Sequence, residues 1–307
     1  MNHIIVSNCT NRKSTKVKKV QPSSSMYDIE NVDYFLDKWF DLINKAEEKK
    51  SAISIYQGRS VSEILHAKKI LNAEIYFLSA GLGVVNEKDL IPNYDLTISE
   101  GDNSLKALFS KWSIDESIWW DKLYSRTSNE TFSTSEIGNI FVALPQNYLK
   151  MIVPYLTKLD KTILENMRLF LHPTSLQQLP ESLKKLYIPY DYRFENSEFK
   201  GTMVDYCQRC LHHFIKYVFS PNQDLTTAKA LVNEYMQSLP PITPKIKRPK
   251  LSDDEISKLI LEGWESCNGQ SSKLLRFLRD EKMIACEQSR FKGLWRHIKN
   301  EKLNAQQ

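Results

Sequence analysis

The 307-residue chain is 41% hydrophobic, which is enough to bury a core and too apolar for a disordered polymer. No run of eighteen apolar residues occurs, and the opening Met1-Asn2-His3-Ile4-Ile5-Val6-Ser7 lacks the basic-then-apolar layout of a secretory signal, so a cytoplasmic protein with no membrane partner is expected. The net charge of +5 lies wholly in the tail: fourteen Lys+Arg face nine Asp+Glu from Pro241 onward, whereas residues 1–240 are balanced.

Ile4-Ile5-Val6 is a β-branched run ending in the polar cluster Ser7-Asn8-Cys9-Thr10-Asn11, which predicts a strand feeding a turn. Between Met26 and Lys49, Val32, Phe35, Leu36, Trp39, Phe40 and Ile43 recur at three and four, the period of an amphipathic helix. A second helix follows Gly58, and Ala73–Ser79 reads as a buried strand running into a Gly-rich turn. Strand, helix, strand then repeats: Asn139–Leu144 is a third strand, a helix follows Pro145, and Met167–Leu171 is a fourth strand. Residues 200–238 are mostly helical in pattern. The expected fold is α/β, an open, mostly parallel sheet with helices on both faces and functional loops at the carboxyl ends of its strands.

The prolines between Pro240 and Lys250 exclude helix and predict a linker between a domain over 1–239 and a second over 251–307. Ser252 and Glu255 have the spacing of a capping box, and two further helices are expected over 271–280 and 286–300. This small all-helical domain has helix-turn-helix proportions. A basic excess confined to it points to a polyanion, because phosphate neutralisation supplies most sequence-independent affinity for duplex DNA. Lys273, Arg276, Arg290, Lys292, Arg296 and Lys299 are the expected phosphate or base contacts. A solvated helical cap or a dimerisation module has the same composition.

Four loops of the large domain share a chemistry-like composition. They are Ser7-Asn8-Cys9-Thr10-Asn11-Arg12-Lys13, Tyr56-Gln57-Gly58-Arg59, Ser79-Ala80-Gly81-Leu82-Gly83 and Ile91-Pro92-Asn93-Tyr94-Asp95-Leu96-Thr97. In order and spacing this quartet resembles a family of bacterial and phage-defence proteins reading Ser-Cys-Ser-x-x-Lys, Leu-Tyr-x-Gly-Arg, Leu-Ser-Ala-x-x-Gly-Leu and Pro-Tyr-Asp-x-Thr. That family is similar in fold to the uracil-DNA glycosylase-like domain of archaeosine synthase, and more remotely resembles the peroxide stress protein YaaA. The resemblance spans roughly residues 1–100, with a weaker echo at Tyr206-Cys207-Gln208-Arg209. It implies a base-binding pocket and, in some members, removal of modified bases from phage DNA. Asn8 stands where the family often has cysteine, and Gly81-Leu82 replaces a more polar pair; Arg59 and Asp95 match.

The chemistry can be argued from the residues alone. Breaking an N-glycosidic bond needs a flipped nucleotide, a carboxylate beside the developing sugar cation, and donors for the departing base. Asp95 is the candidate carboxylate, although an isolated Asp in such a loop also caps its own backbone. Tyr94 can stack on a base or simply pack, and Ser7, Asn8 and Ser79 end their strands where polar groups can read a base edge. Arg59 can hold a phosphate or pair with a carboxylate. His172, in His172-Pro173-Thr174-Ser175, resembles the His-Pro-Ser loop of uracil-DNA glycosylases and is a second catalytic candidate.

Other signals are set aside. Gly81-Leu82-Gly83 lacks the third glycine of a dinucleotide fingerprint, and Cys207-x-x-Cys210 with His212 and His213 sits in a helical pattern with no second CxxC, so neither cofactor nor metal is expected. The five cysteines read as free thiols. Trp112, Trp119 and Trp120 suit a core or a stacking wedge. The expected function is DNA binding with DNA N-glycosylase activity on duplex DNA, including phage DNA with modified bases. The alternatives are a non-catalytic DNA-binding or stress protein, and an RNA-base or nucleoside transferase.

Overall fold

The computed structural model describes residues 2–14, 16–99, 101, 103–127, 137–221, 223–241 and 248–304. The chain divides into two compact units, Met1–Ile242 and Thr243–Gln307. Most of the expected linker, residues 242–247, lies outside the described residues.

The first unit opens with strand β1 (Asn2–Asn8). Helix α1 (Val32–Asn44) starts later than its apolar period suggests, because the Asn31 side chain accepts from the Asp33 and Tyr34 amides and so fixes the N-terminus. Helix α2 (Arg59–Leu71) begins at Gly58, whose φ of 111° is open to glycine at little cost. Strand β2 (Glu74–Ser79) leads through a tight turn into β3 (Gly83–Asn86), a hairpin arm hidden behind what reads in the sequence as a Gly-rich turn. Helix α3 (Glu116–Thr127), strand β4 (Ile137–Leu144), helix α4 (Gln146–Leu156), strand β5 (Met167–Leu171) and helices α5 (Tyr206–Tyr217) and α6 (Leu225–Ser238) complete the unit.

The strands form one five-stranded sheet in the order β3-β2-β1-β4-β5. All pairs are parallel except the β2–β3 hairpin. Ser7 lies opposite Phe77 on one side and Ala143 on the other. The crossover from β1 through α2 to β2 runs outward in one direction, and the crossover from β4 through α4 to β5 runs in the other. Right-handed crossovers of opposite direction place their helices on opposite faces of the sheet. Accordingly α5 packs on α2 and on β4 and β5, while α4 packs on α3, which reaches β3 and α1. Coverage on both sides explains why β5 is buried along its full length. The loops after β1 and β4 diverge at this switch point, where open α/β sheets place ligands.

The second unit is a bundle of α7 (Asp253–Glu262), α8 (Ser271–Arg276) and α9 (Gln288–Asn304). Ser252 and Glu255 make the reciprocal capping box at the start of α7. Beyond Arg276 the chain widens into a π-helical turn over Phe277–Glu281 rather than continuing the expected helix to 280. Ile256, Ile260, Leu274, Leu278, Phe291 and Ile298 form the core of the unit. Among the described residues of both units, no helix is long and apolar enough to cross a membrane.

Candidate functional site

A cavity of about 980 Å³ opens at the carboxyl ends of β1, β4 and β5. Its walls come from seven segments: the run from Asn8 to Arg12, Gln57–Ser60 ahead of α2, Ser99, Pro145–Tyr148 after β4, His172 and Thr174 after β5, Tyr192, and Thr202–Asp205 ahead of α5. The lining is rich in amides and hydroxyls, with Tyr148 and Tyr192 as aromatic surfaces and Arg12 and Arg59 as cations.

Asn8 is fixed from a distant part of the chain. Its Oδ1 accepts from Gln208 Nε2 at 3.0 Å and its Nδ2 donates to the Cys9 carbonyl at 2.8 Å. Gln208 Nε2 also lies 3.0 Å from Ser7 Oγ and 3.1 Å from the Ala143 carbonyl. This fully buried amide therefore ties α5 to the ends of β1 and β4, while its Oε1 has no partner among the described residues. Ser7 is thereby a buried acceptor under the cavity rather than a reader of a base edge, which corrects the sequence expectation for it.

Arg209, next on α5, is fully buried and builds one wall. Its guanidinium bonds Asp205 Oδ1 and Glu195 Oε1, each at 2.7 Å, and donates to the carbonyls of Phe199 at 2.6 Å and Thr202 at 2.8 Å. Burial disfavours the cation, but the two carboxylates outweigh that and raise its pKa. Gly201 packs so closely on Arg209 and Asp205 that a side chain there would collide with both. Asp205 is the one carboxylate among the described cavity residues, and it is heavily engaged: Oδ1 also accepts from the Thr202 amide at 2.9 Å, and Oδ2 faces Arg59 Nε at 3.7 Å.

His172 sits where β5 enters the cavity, with its ring 5.0 Å from that of Tyr206. Its Nε2 is 3.2 Å from the Met203 carbonyl. A carbonyl only accepts, so Nε2 carries a proton and donates it there. That hydrogen is thus already engaged, and Nε2 can donate to a base only if the ring turns.

Two of the four loops singled out in the sequence, 7–13 and 56–59, line the cavity, whereas Tyr56, Ser79 and Tyr94, from three of the loops, meet in a buried hydrogen-bond chain outside its lining. Tyr94 is fully buried, its hydroxyl 2.5 Å from Ser79 Oγ and 2.7 Å from the Tyr56 hydroxyl. Burial holds both phenols well above their ordinary pKa. Lys13 lies over the Tyr94 ring at 4.3 Å. Ser79 Oγ in addition accepts from the Gly81 and Leu82 amides, shaping the turn into β3. Tyr94 and Ser79 are thus packing and turn residues, which overturns their reading as base contacts. We predict that Tyr94→Phe, which strips the middle hydroxyl from this chain, destabilises the protein by about 1–2 kcal/mol in urea melts and leaves nucleobase affinity unchanged.

Asp95 is likewise not among the cavity residues. It pairs with Lys19 at 3.0 Å, and although partial burial works against the charge, Lys19 and Asn103 hold its carboxyl below the usual range. Its amide donates to the Val20 carbonyl, part of a two-residue strand pairing between Lys19–Val20 and Asn93–Tyr94. The catalytic assignment of Asp95 is therefore corrected: it fastens the loop after β1 to the loop that carries it. Arg59 lines the cavity, but its guanidinium is engaged by Glu63 at 3.3 Å and by the Lys200 carbonyl. The Trp cluster is core: Trp119 and Trp120 are buried and Trp119 donates to the Ala80 carbonyl, so neither is a wedge.

Gln208 and Arg209 are the functional-site residues that the sequence reading missed as such. The available signal was two polar side chains at consecutive positions of a helix whose neighbours, Cys207, Cys210, Leu211 and Phe214, are all core.

In the second unit, Lys292, Arg296 and Lys299 recur at i, i+4 and i+7 along one side of α9, away from the buried Phe291 and Ile298. All three are exposed, as are Lys273 and Arg276 on α8. None of the five has an ion-pair partner among the described residues, and Lys299 rests over the Trp295 ring at 5.1 Å. Arg290 differs. Its guanidinium is taken up by Asp253 at 2.6 Å and by the Leu251 carbonyl at 2.8 Å, so it ties α9 to the start of α7 and is corrected from a DNA contact to a structural clamp. A hollow of about 520 Å³ beside it is walled by Arg248, Lys250 and Arg279, with Glu287 as its acid.

Comparison with protein-family models, with curated proteins and with solved structures gave no match to this chain.

Proposed function

We propose that this is a cytoplasmic DNA-binding protein that takes a nucleobase, extruded from phage DNA carrying modified bases, into the cavity of its α/β unit, and that it excises that base as a DNA N-glycosylase. The reading rests on one observation above all: Asn8, with its amide orientation fixed by Gln208, shares a cavity at the sheet's switch point with His172 and two tyrosines. A fixed amide offers a donor and an acceptor to a base edge, and the size of the cavity suits a nucleotide. The exposed cations of α8 and α9 supply the phosphate contacts that hold the duplex. Resemblance of the four loop motifs to a phage-defence family supports the choice of substrate, and five buried free thiols suit a reducing cytoplasm.

A second reading, base recognition without cleavage, is favoured by the state of Asp205. Three donors already engage the cavity's carboxylate, so a sugar cation would find its charge largely spent. Incubation of the purified protein with modified and unmodified phage DNA, followed by assay for abasic sites and free bases, separates the two. The excision reading expects base release that His172→Ala and Asn8→Ala each reduce by at least about a hundredfold, with duplex affinity kept. Binding without any abasic product would leave recognition alone. Structured RNA that competes better than duplex DNA would move the substrate to RNA.

A further inference from the structure

Away from the cavity, the packed pair α2 and α5 brings together three groups that the proposed function does not use. Glu63 and His66 stand one turn apart on the same face of α2, and His212 reaches them from α5. One ligand atom from each lies within 4.8 Å of the others. His212 Nδ1 is 2.7 Å from Glu63 Oε2, and the two imidazole rings lie 5.1 Å apart at 35°. None of the three lines the cavity.

We propose that Glu63, His66 and His212 form a binding site for a divalent transition-metal ion, Zn²⁺, that pins α2 to α5. Two imidazoles and a carboxylate are the donor set this borderline ion takes, and three protein ligands leave a fourth position for water. A tetrahedral ion with bonds near 2.0–2.1 Å spaces its ligands roughly 3.3 Å apart, so small rotations of the side chains close the site. As the metal takes the place of the proton between His212 Nδ1 and Glu63, that proton passes to His212 Nε2, so the ring stays a neutral ligand, and the other Glu63 oxygen keeps its contact with Arg59 Nε at 3.3 Å.

Burial and geometry separate this site from the nearby CxxC. Cys207 donates to the Leu144 carbonyl, and burial pushes its thiol up to about 12, while Cys210 is driven upward in the same way. Thiols held protonated inside a core are poor metal ligands. His66, by contrast, is exposed and gives an ion a route in from solvent, while Glu63 is buried and His212 half-buried with the edge of the Phe199 ring against it. The position has a consequence for the cavity. Helix α2 starts at Arg59 and α5 starts after Asp205, both cavity residues, so an ion across the two helices steadies two of its walls.

The test is titration of the chelator-treated full-length protein with ZnCl₂, followed by calorimetry and thermal melts. We expect one Zn²⁺ per chain and, at a hundredfold excess over Kd, a Tm higher by roughly 5–10 °C. His66→Ala, at an exposed position, should melt like wild type without zinc, lose most of the zinc-dependent rise, and bind at least about tenfold more weakly. His212→Ala should lose the rise as well. The proposal is overturned if the wild-type protein shows no saturable uptake at micromolar zinc, or if His66→Ala takes up zinc as the wild type does. Both readouts are independent of base excision, so the site stands or falls separately from the proposed function.

Discussion

Replacing Arg209 by leucine should lower the stability of the α/β unit by roughly 3–5 kcal/mol, a Tm drop on the order of 10 °C in a unit of this size. The cause is not the loss of one favourable pair. Arg209 is fully buried, and its removal leaves Glu195 without its cation, Asp205 with only Arg59 at 3.7 Å, and the carbonyls of Phe199 and Thr202 each short of a strong donor. Leucine fills part of the volume and none of these needs. Arg209→Lys should recover only part of the loss, since one ammonium cannot span four acceptors that a planar fork reaches from a single position. Urea melts of both variants measure the effect. A leucine variant that melts within about 2 °C of wild type would show that the wall over 195–205 stands without this residue. The same variants should lose ligand affinity, because that wall contributes Thr202 to Asp205 to the cavity.

Neutralising Lys273, Arg276, Lys292, Arg296 and Lys299 together, each to glutamine, should abolish measurable duplex binding at physiological salt. Every phosphate contact contributes about 0.9 to the slope of log K against log salt, so losing five contacts should flatten that slope by up to roughly 4.5 and cost about a thousandfold or more in affinity. The fold should be unaffected, because all five side chains are exposed and lack ion-pair partners among the described residues. Arg290→Gln is the control with the opposite signature. It breaks the tie to Asp253 and Leu251 and should lower the stability of the helical unit while changing the salt slope little. Fluorescence anisotropy across a salt series, with melts of each variant, measures both. An unchanged slope in the fivefold variant would mean that these helices do not face the phosphates.

The architecture was largely legible in the sequence because its signals are local. Runs such as Ile4-Ile5-Val6 and Met167–Leu171 have one use in a chain of this composition, and Ser252 with Glu255 announces a helix start through a bond three residues long. The hairpin arm Gly83–Asn86 escaped because a four-residue strand after a glycine turn leaves too short a pattern to establish a period. The candidate site was legible only in part. Loop composition marked four loops as one base pocket, but side-chain direction decides whether hydroxyls face a ligand or one another, and here those of Tyr56, Ser79 and Tyr94 bond one another. Asp95 matched a motif while its carboxylate was drawn to Lys19, 76 residues away. Asn8 is oriented by Gln208 across 200 residues of chain, a relation that no window of sequence contains.

That last contact bears on the order in which the molecule can be made. During synthesis β1 emerges first, but one of its neighbours, β4, arrives more than a hundred residues later, and the helix bearing Gln208 later still. A nascent chain short of α5 has the central strand of its sheet but only the local bond to the Cys9 carbonyl to hold the Asn8 amide, without Gln208. Under the proposed function, competence to take up a base would therefore appear late, near completion of the large unit, and the parallel pairings on which it depends close slowly because they join distant parts of the chain. On that reading truncated products would be inert toward a base, and their half-assembled sheet edge is a surface that chaperones would have to shield.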